Sequence, residues 1–206
     1  MMRTRRAVLA AASETFSLSG YAGTTMRHVA ESAAVSVPLV EQLFGTKASL
    51  LKACIDVAIA GDDEPVPMLE RDWTRRAQAA ADVTGLLNVV VSVLGPAQAP
   101  SAALVLAVFE GGRSDPELAE LANRMTEQRA ATTKWLVEQL KRIQPLREGV
   151  RQRDAIDTVW VLLDPAVYER FTQHRGRSYR IPAVDIDASC GFYRRARMGP
   201  AKHHLG

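Results

Sequence analysis

A short segment near the N-terminus places hydroxyl and cationic side chains where helices are predicted to begin. Thr25, Ser36 and Thr46 each precede a run of apolar residues with helical spacing, so each can cap the helix that follows. The free N–H groups at such a helix start, together with the capping hydroxyl, can donate hydrogen bonds to phosphate oxygens. Arg27 and Lys47 add positive charge nearby. This segment is therefore suited to contact with phosphates.

The helices around these caps form a helix-turn-helix pattern, because a tight turn at 34–36 joins the second helix to the third. The predicted ranges in chain order are 3–19, 26–33, 37–44 and 47–60. The buried side of the third helix is formed by Val37, Val40 and Phe44. Its outer side carries Leu39, Glu41 and Gln42. A short helix with such an outer side can enter the major groove of DNA.

The rest of the chain is also predicted to be helical, which makes the fold class all-α. The stretch 61–67 combines glycine, two prolines and three acids, and this composition indicates a module boundary. We expect an N-terminal helix-turn-helix module over 1–60, a helical domain over 61–176 and an irregular basic tail over 177–206. Asp115-Pro116 and Asp164-Pro165 predict helix starts, whereas Gly95-Pro96 predicts the end of a helix.

Composition and motifs argue against several other classes of protein. No run of about 18 apolar residues predicts a membrane span, and no signal peptide is recognised. Cys54 and Cys190 belong to no paired motif, so neither a disulfide nor a zinc site is expected. Asp62, Asp63 and Glu64 are better explained as a solvated hinge than as metal ligands. Catalytic motifs such as Gly-x-Ser-x-Gly and His-Glu-x-x-His do not occur. We therefore expect no enzyme activity, no metal and no cofactor.

The net charge of +3 is distributed unevenly along the chain. Residues 1–60 hold six Lys and Arg against four Asp and Glu, and residues 177–206 hold six against two. Residues 61–176 hold fourteen against seventeen. Basic ends are compatible with a nucleic-acid partner but do not by themselves establish one.

The sequence resembles the tetracycline-repressor (TetR) family of bacterial transcription regulators. The resemblance is carried by Gly20-Tyr21-Ala22-Gly23-Thr24-Thr25-Met26-Arg27-His28-Val29-Ala30, Ala34-Val35-Ser36 and Phe44-Gly45-Thr46-Lys47 with Leu50-Leu51. It continues in Asp62-Asp63-Glu64-Pro65-Val66-Pro67, Asp115-Pro116-Glu117-Leu118-Ala119, Val159-Trp160 and Asp164-Pro165-Ala166-Val167-Tyr168, and so covers roughly residues 4–176. It implies a cytoplasmic, ligand-responsive repressor that binds a palindromic operator in double-stranded DNA as a homodimer.

The resemblance also implies which residues lie at or near the DNA. The expected set is Thr25, Arg27, Ser36, Val37, Pro38, Leu39, Glu41, Gln42, Thr46 and Lys47. The sequence departs from the family at Glu41, where an aromatic residue usually touches a phosphate, and at Leu43, where a polar residue is common. The alternative function is therefore a helical small-molecule sensor or protein-interaction module with little operator affinity.

The resemblance further implies that the domain over 61–176 binds a small molecule and forms the dimer. Candidate pocket residues are Trp73, Phe109, Trp135 and Trp160, although each is also compatible with an ordinary core position. Two late helices are expected to pair across the dimer through Ala155, Ile156, Val159, Trp160, Leu163, Val167 and Phe171. The last departure from the family follows Arg175-Gly176, where the usual terminal helix pattern is lost.

Overall fold

A computed structural model describes residues 2–62, 64 and 66–174, and these residues form helices and no β-strand. The predicted all-α fold is thereby confirmed, while the tail predicted over 177–206 lies outside the described residues. The helices are α1 (Met2–Gly23), α2 (Met26–Ser32), α3 (Val37–Phe44), α4 (Lys47–Ala60), α5 (Trp73–Gln78), α6 (Val83–Gly111), α7 (Pro116–Ile143), α8 (Gln152–Leu162) and α9 (Pro165–Glu169). Met68–Glu70 form a 3-10 turn, and Arg170–His174 extend α9 as a π-helical turn.

The ends of the first four helices follow local capping rules. Gly20 interrupts α1 with a φ of 63°, and the buried Thr24 hydroxyl donates to the Gly20 carbonyl at 2.7 Å. Thr25 caps α2 by accepting from the His28 N–H. Ser36 occupies the N-cap position of α3, yet its side chain accepts no capping bond. The reason is that the second helical residue is a proline, which has no N–H, and the third already donates to the Ser36 carbonyl.

The predicted helix end at Gly95-Pro96 is wrong, because α6 continues through both residues and through Pro100. Pro96 and Pro100 lie on the exposed side of the helix. A carbonyl that loses its helical partner to proline can there be bonded by solvent. α6 has buried residues on both sides of these prolines, Leu86 to Val90 before them and Ala97 to Val108 around and after them, and it packs against five other helices. Tertiary packing thus outweighs the local preference for a break.

Two hydrophobic clusters form the interior, and α6 and α7 contribute to both. The first cluster joins α1 to α4 with the second half of α6 and the first turns of α7, through Leu104, Val105, Val108, Leu118 and Leu121. The second joins α5, the first half of α6, the end of α7 and α8. The N-terminal helices are therefore packed on the same two long helices that organise the rest of the described chain.

By length and composition α6 could also cross a membrane, since an 18-residue window has a mean hydropathy of 1.7. In this structure 39% of that window is buried, and α6 is contacted by α1, α4, α5, α7 and α9. A central core helix has the same apolar composition, because it is covered from several sides. We interpret α6 as such a core helix.

Two of the three glycines of α6 provide a test of this helix. Gly95→Ala should raise the free energy of unfolding by about 0.5–1 kcal/mol, because alanine has the higher helix propensity. A Cβ at position 95 meets only the Val91 Cγ1, at an ordinary 3.7 Å. Gly111→Ala should instead lower it by about 1–3 kcal/mol, because its Cβ would lie 2.4 Å from the Cδ1 of the fully buried Leu118.

Urea unfolding of the two variants at one protein concentration measures both effects. Destabilisation by Gly95→Ala would show that the chain needs a break at that position. Equal effects of the two substitutions would contradict the packing described for Gly111.

Candidate nucleic-acid interface and ligand cavity

The outer face of α3 is open to solvent. Pro38, Glu41 and Gln42 are exposed and Leu39 is half-buried, whereas Val40 is fully buried. Phe44 is also buried, while Val37, which was predicted on the buried side, is half-buried. Thr25, Arg27 and Ser36 are exposed at the starts of α2 and α3. These side chains can therefore be reached by a large partner.

The C-terminal end of α3 is held by a cation from α1. Arg5 Nη1 donates to the Leu43 carbonyl at 3.1 Å, and the guanidinium carbon lies 4.4 Å from the centroid of the Phe44 ring. A cation is favourable at this end because the last carbonyls of a helix carry partial negative charge. Leu43 itself is half-buried against the first hydrophobic cluster, so its apolar side chain has a packing role.

Lys47, at the start of α4, binds the backbone of the α1–α2 connection. Its Nζ donates to the Tyr21 carbonyl at 2.9 Å and to the Thr24 carbonyl at 3.0 Å. The same ammonium lies 3.9 Å from the centroid of the Tyr21 ring. Lys47 therefore has a structural role that the sequence pattern did not predict, and its ammonium keeps one further N–H for another acceptor.

A polar cluster joins the start of α4 to the start of α7, and we call it the α4–α7 latch. The Thr46 hydroxyl donates to Glu117 Oε1 at 2.7 Å, and the Ser49 hydroxyl approaches the same oxygen at 3.3 Å. The Tyr21 hydroxyl donates to Asp115 Oδ2 at 2.9 Å. Asp115 also caps α7 by accepting from the Glu117 and Leu118 N–H groups. The first turns of α4 and α7 are thereby held together.

The latch shifts the pKa of its own groups. Burial, followed by the hydrogen bond to Asp115, raises the pKa of the Tyr21 hydroxyl, so this group stays a donor at physiological pH. The hydrogen bond from Tyr21 lowers the pKa of Asp115, which keeps that carboxylate ionised. Burial lowers the pKa of Lys47.

A cavity of about 270 Å³ lies between α4, α6 and α7, with Leu163 and Pro165 completing its wall. Apolar atoms form most of the surface of its wall, and eight of the eighteen lining side chains on these helices are apolar. They include Ile55, Ile59, Leu94, Val105, Phe109, Leu121 and Met125. A partly enclosed, mostly apolar cavity with a few polar groups is typical of small-molecule sites.

The hydroxyls of the cavity wall are engaged, whereas two buried polar atoms of the wall have no hydrogen-bond partner. The hydroxyls of Ser101, Thr132 and Thr133 each donate to a carbonyl of their own helix. Gln98 is 7% exposed, and its Oε1 is buried without a hydrogen-bond partner. The Nε of Arg129 is also buried without a partner, although its Nη2 lies 2.8 Å from Asp164 Oδ2.

Of the four aromatic residues predicted for a pocket, only Phe109 lines this cavity. Trp73 and Trp135 belong to the second hydrophobic cluster, where their rings meet edge to face with centroids 5.1 Å apart. Trp73 also donates its indole N–H to the Met68 carbonyl at 2.7 Å. Trp160 stacks against Arg129, with 3.7 Å between the guanidinium carbon and the ring centroid. These three indoles thus serve packing, which composition alone could not distinguish from a pocket.

Comparison with known proteins supports the same interpretation of the N-terminal helices. Residues 8–54 match the family model described as bacterial regulatory proteins, tetR family. No curated protein matches the sequence.

Solved structures share the fold over nearly the whole chain. NalD of Pseudomonas aeruginosa, the secondary repressor of the MexAB-OprM multidrug efflux pump, is 19% identical with a TM-score of 0.69, over 95% of this chain and 98% of its own. FadR of Bacillus subtilis, solved with stearoyl-CoA, is 17% identical with a TM-score of 0.63, over 89% and 94%. A protein of Mesorhizobium loti assigned to the TetR family is 19% identical with a TM-score of 0.63, over 94% and 98%. The N-terminal helices thus carry a helix-turn-helix of the tetR family of bacterial regulatory proteins, and the chain shares its fold with these solved regulators.

Proposed function

We propose that this protein is a ligand-responsive transcription regulator, by family default a repressor, which binds a palindromic operator in double-stranded DNA as a homodimer. The observation that carries the proposal is the exposed outer face of α3, flanked by the exposed starts of α2 and α3 in a matched helix-turn-helix. Family regulators of this kind act in the cytoplasm and are generally not enzymes, and we propose the same for this chain.

The arrangement suits DNA because its surface groups divide into two kinds. Thr25, Ser36 and Arg27 offer hydroxyl and guanidinium donors of the kind that bind phosphate oxygens. Gln42 and Glu41 project from α3, where amide and carboxylate groups can read base edges in the major groove. The Ser36 hydroxyl suits this role in particular, since it makes no capping bond.

The path from ligand to DNA can be described along two helices. α4 and α7 both begin at the latch and both line the cavity, through Ile55 and Met125, each eight residues beyond Lys47 and Glu117. That separation is about 12 Å along a helix. A ligand that changes the spacing of α4 and α7 would therefore move the first turn of α4, next to α3. A differential affinity of about 1–3 kcal/mol for the two arrangements is enough for a useful switch.

We propose that the late helices form the homodimer, through fewer residues than the sequence pattern predicts. Ala155, Val159 and Leu163, which the sequence pattern assigned to the partner, are buried within their own chain. The apolar surface left at the late helices includes Val161, which is 55% exposed, and Phe171, which is 39% exposed. A dimer would place two α3 helices about one DNA turn apart, roughly 34 Å, on a near-palindromic site.

The alternative, a helical sensor or interaction module with little operator affinity, is favoured by one observation. Glu41 is exposed on the outer face of α3, where a carboxylate would repel a nearby phosphate. Leu43 no longer supports this alternative, because its side chain packs inward.

The first test concerns Lys47→Ala. We expect the substitution to weaken binding to an operator and to a scrambled duplex alike and to reduce the salt slope by about one unit. We also expect it to lower the free energy of unfolding by about 1–2 kcal/mol, because two charged hydrogen bonds are lost. Fluorescence anisotropy at two salt concentrations, with duplexes from the upstream DNA of the gene, and urea unfolding measure the two effects.

Lys52→Ala is the matched control for Lys47→Ala. Lys52 lies on the same helix and pairs with Asp56 at the surface, so its loss should leave the salt slope and the stability nearly unchanged. Loss of stability in Lys47→Ala with an unaltered salt slope would assign Lys47 a structural role only.

The second test concerns Glu41→Gln. If Glu41 only repels phosphate, the substitution should tighten binding to every duplex, and more so at low salt. If Glu41 accepts a hydrogen bond from a cytosine amino group, the substitution should cost about 1–3 kcal/mol at one base pair while leaving non-specific binding little changed. Anisotropy with operator and scrambled duplexes separates these results. Unchanged affinity for both would show that this face of α3 does not meet DNA.

The third test concerns the homodimer. We expect sedimentation velocity to show a dimer at micromolar concentration, and Val161→Asp to shift it towards monomer by placing a charge in an apolar interface. Leu18→Asp is the matched control, since Leu18 is 80% exposed on α1, away from the late helices, and its variant should remain dimeric. A monomeric wild-type protein would contradict the dimer.

A further inference from the structure

We infer that the cavity between α4, α6 and α7 takes an uncharged, mostly apolar molecule that carries a hydroxyl or a similar hydrogen-bond donor. The inference rests on the proposed function, because it names the class of ligand to which the proposed regulator responds.

The first observation is the unpartnered amide oxygen of Gln98. A buried acceptor that forms no hydrogen bond is costly, and it demands a donor. Gln98 lines the cavity while its Oε1 is fully buried, so we expect a rotation of the amide to let a molecule in the cavity supply that donor. An apolar molecule without a donor would leave the amide oxygen unbonded.

The hydroxyls of the wall also favour a ligand that carries a hydrogen-bond donor. Ser101 donates to the Ala97 carbonyl at 2.6 Å, and Thr133 donates to the Ala130 carbonyl at 3.0 Å. A hydroxyl that has used its only proton can offer a ligand nothing but its lone pairs. The hydroxyls of the wall therefore favour a ligand that donates.

The charges of the wall argue against an ionised ligand. Lys52 pairs with Asp56, Arg124 pairs with Glu120, and Arg129 pairs with Asp164. Each cation that lines the cavity thus has a carboxylate partner already, which reduces the attraction that an anionic ligand would gain. The unpartnered Arg129 Nε–H needs only a neutral acceptor, which the oxygen of a hydroxyl supplies.

Titration calorimetry of the full chain with three matched probes tests this class. 2-Naphthol offers a donor, 2-methoxynaphthalene has the same ring system without a donor, and 2-naphthoate carries a negative charge. We expect 2-naphthol to bind about fivefold to tenfold more tightly than 2-methoxynaphthalene, which is the usual worth of one neutral hydrogen bond. 2-Naphthoate should bind at least tenfold more weakly than 2-naphthol.

Two variants connect the preference to the wall of the cavity. Gln98→Leu should reduce the affinity for 2-naphthol to that for 2-methoxynaphthalene, because the acceptor is removed at similar volume. Gln128→Leu is the control, since Gln128 also lines the cavity but is exposed, and its variant should keep the preference. Tightest binding of 2-naphthoate, equal binding of the two neutral probes, or no binding of any probe would overturn the inference.

These titrations contain no DNA, so they fail independently of the proposed function. Operator binding without any preference for 2-naphthol would refute the ligand class alone. A preference for 2-naphthol that depends on Gln98, in a protein without operator affinity, would refute the regulatory function and leave the ligand class standing.

Discussion

Two carboxylates at the start of α7 add a directional constraint to the apolar packing of the N-terminal helices on the rest of the chain. The N-terminal ends of α4 and α7 lie side by side, and both ends carry partial positive charge. Asp115 and Glu117 offset this repulsion because both lie at the N-terminal end of α7. Asp115 accepts a hydrogen bond from Tyr21, and Glu117 accepts one from Thr46. The position of α3 follows, because α3 is joined to α4 by Gly45 and Thr46 alone.

The same constraint explains why Lys47 matters beyond its charge. Its ammonium holds the Tyr21 and Thr24 carbonyls, and this keeps the Tyr21 hydroxyl directed at Asp115. The outer face of α3 and the cavity are therefore not independent parts of the molecule. α4 connects them, because its first turn follows α3 and is held by the latch, while Ile55 and Ile59 farther along it line the cavity.

Local rules made the helix-turn-helix predictable from the sequence. Thr25 and Asp115 cap their helices as expected, because a cap involves only residues two or three positions away. The latch could not be predicted, since Tyr21 and Asp115 are 94 positions apart and neither side chain is unusual in its local setting. The continuity of α6 through Pro96 was missed for a related reason, because the packing that overrides the proline comes from distant helices.

The first hydrophobic cluster contains residues from both sides of the glycine- and proline-rich stretch 61–67, which the composition indicates as a boundary. Leu104 and Val108 of α6 fill the interior of the N-terminal helices together with Phe16 and Leu50. A chimaera that fused residues 1–60 to a different regulatory domain would therefore lose the α6 side chains that fill the interior of the N-terminal helices. A functional exchange of the N-terminal helices between such proteins would have to include the second half of α6 and the Asp115–Leu118 turn.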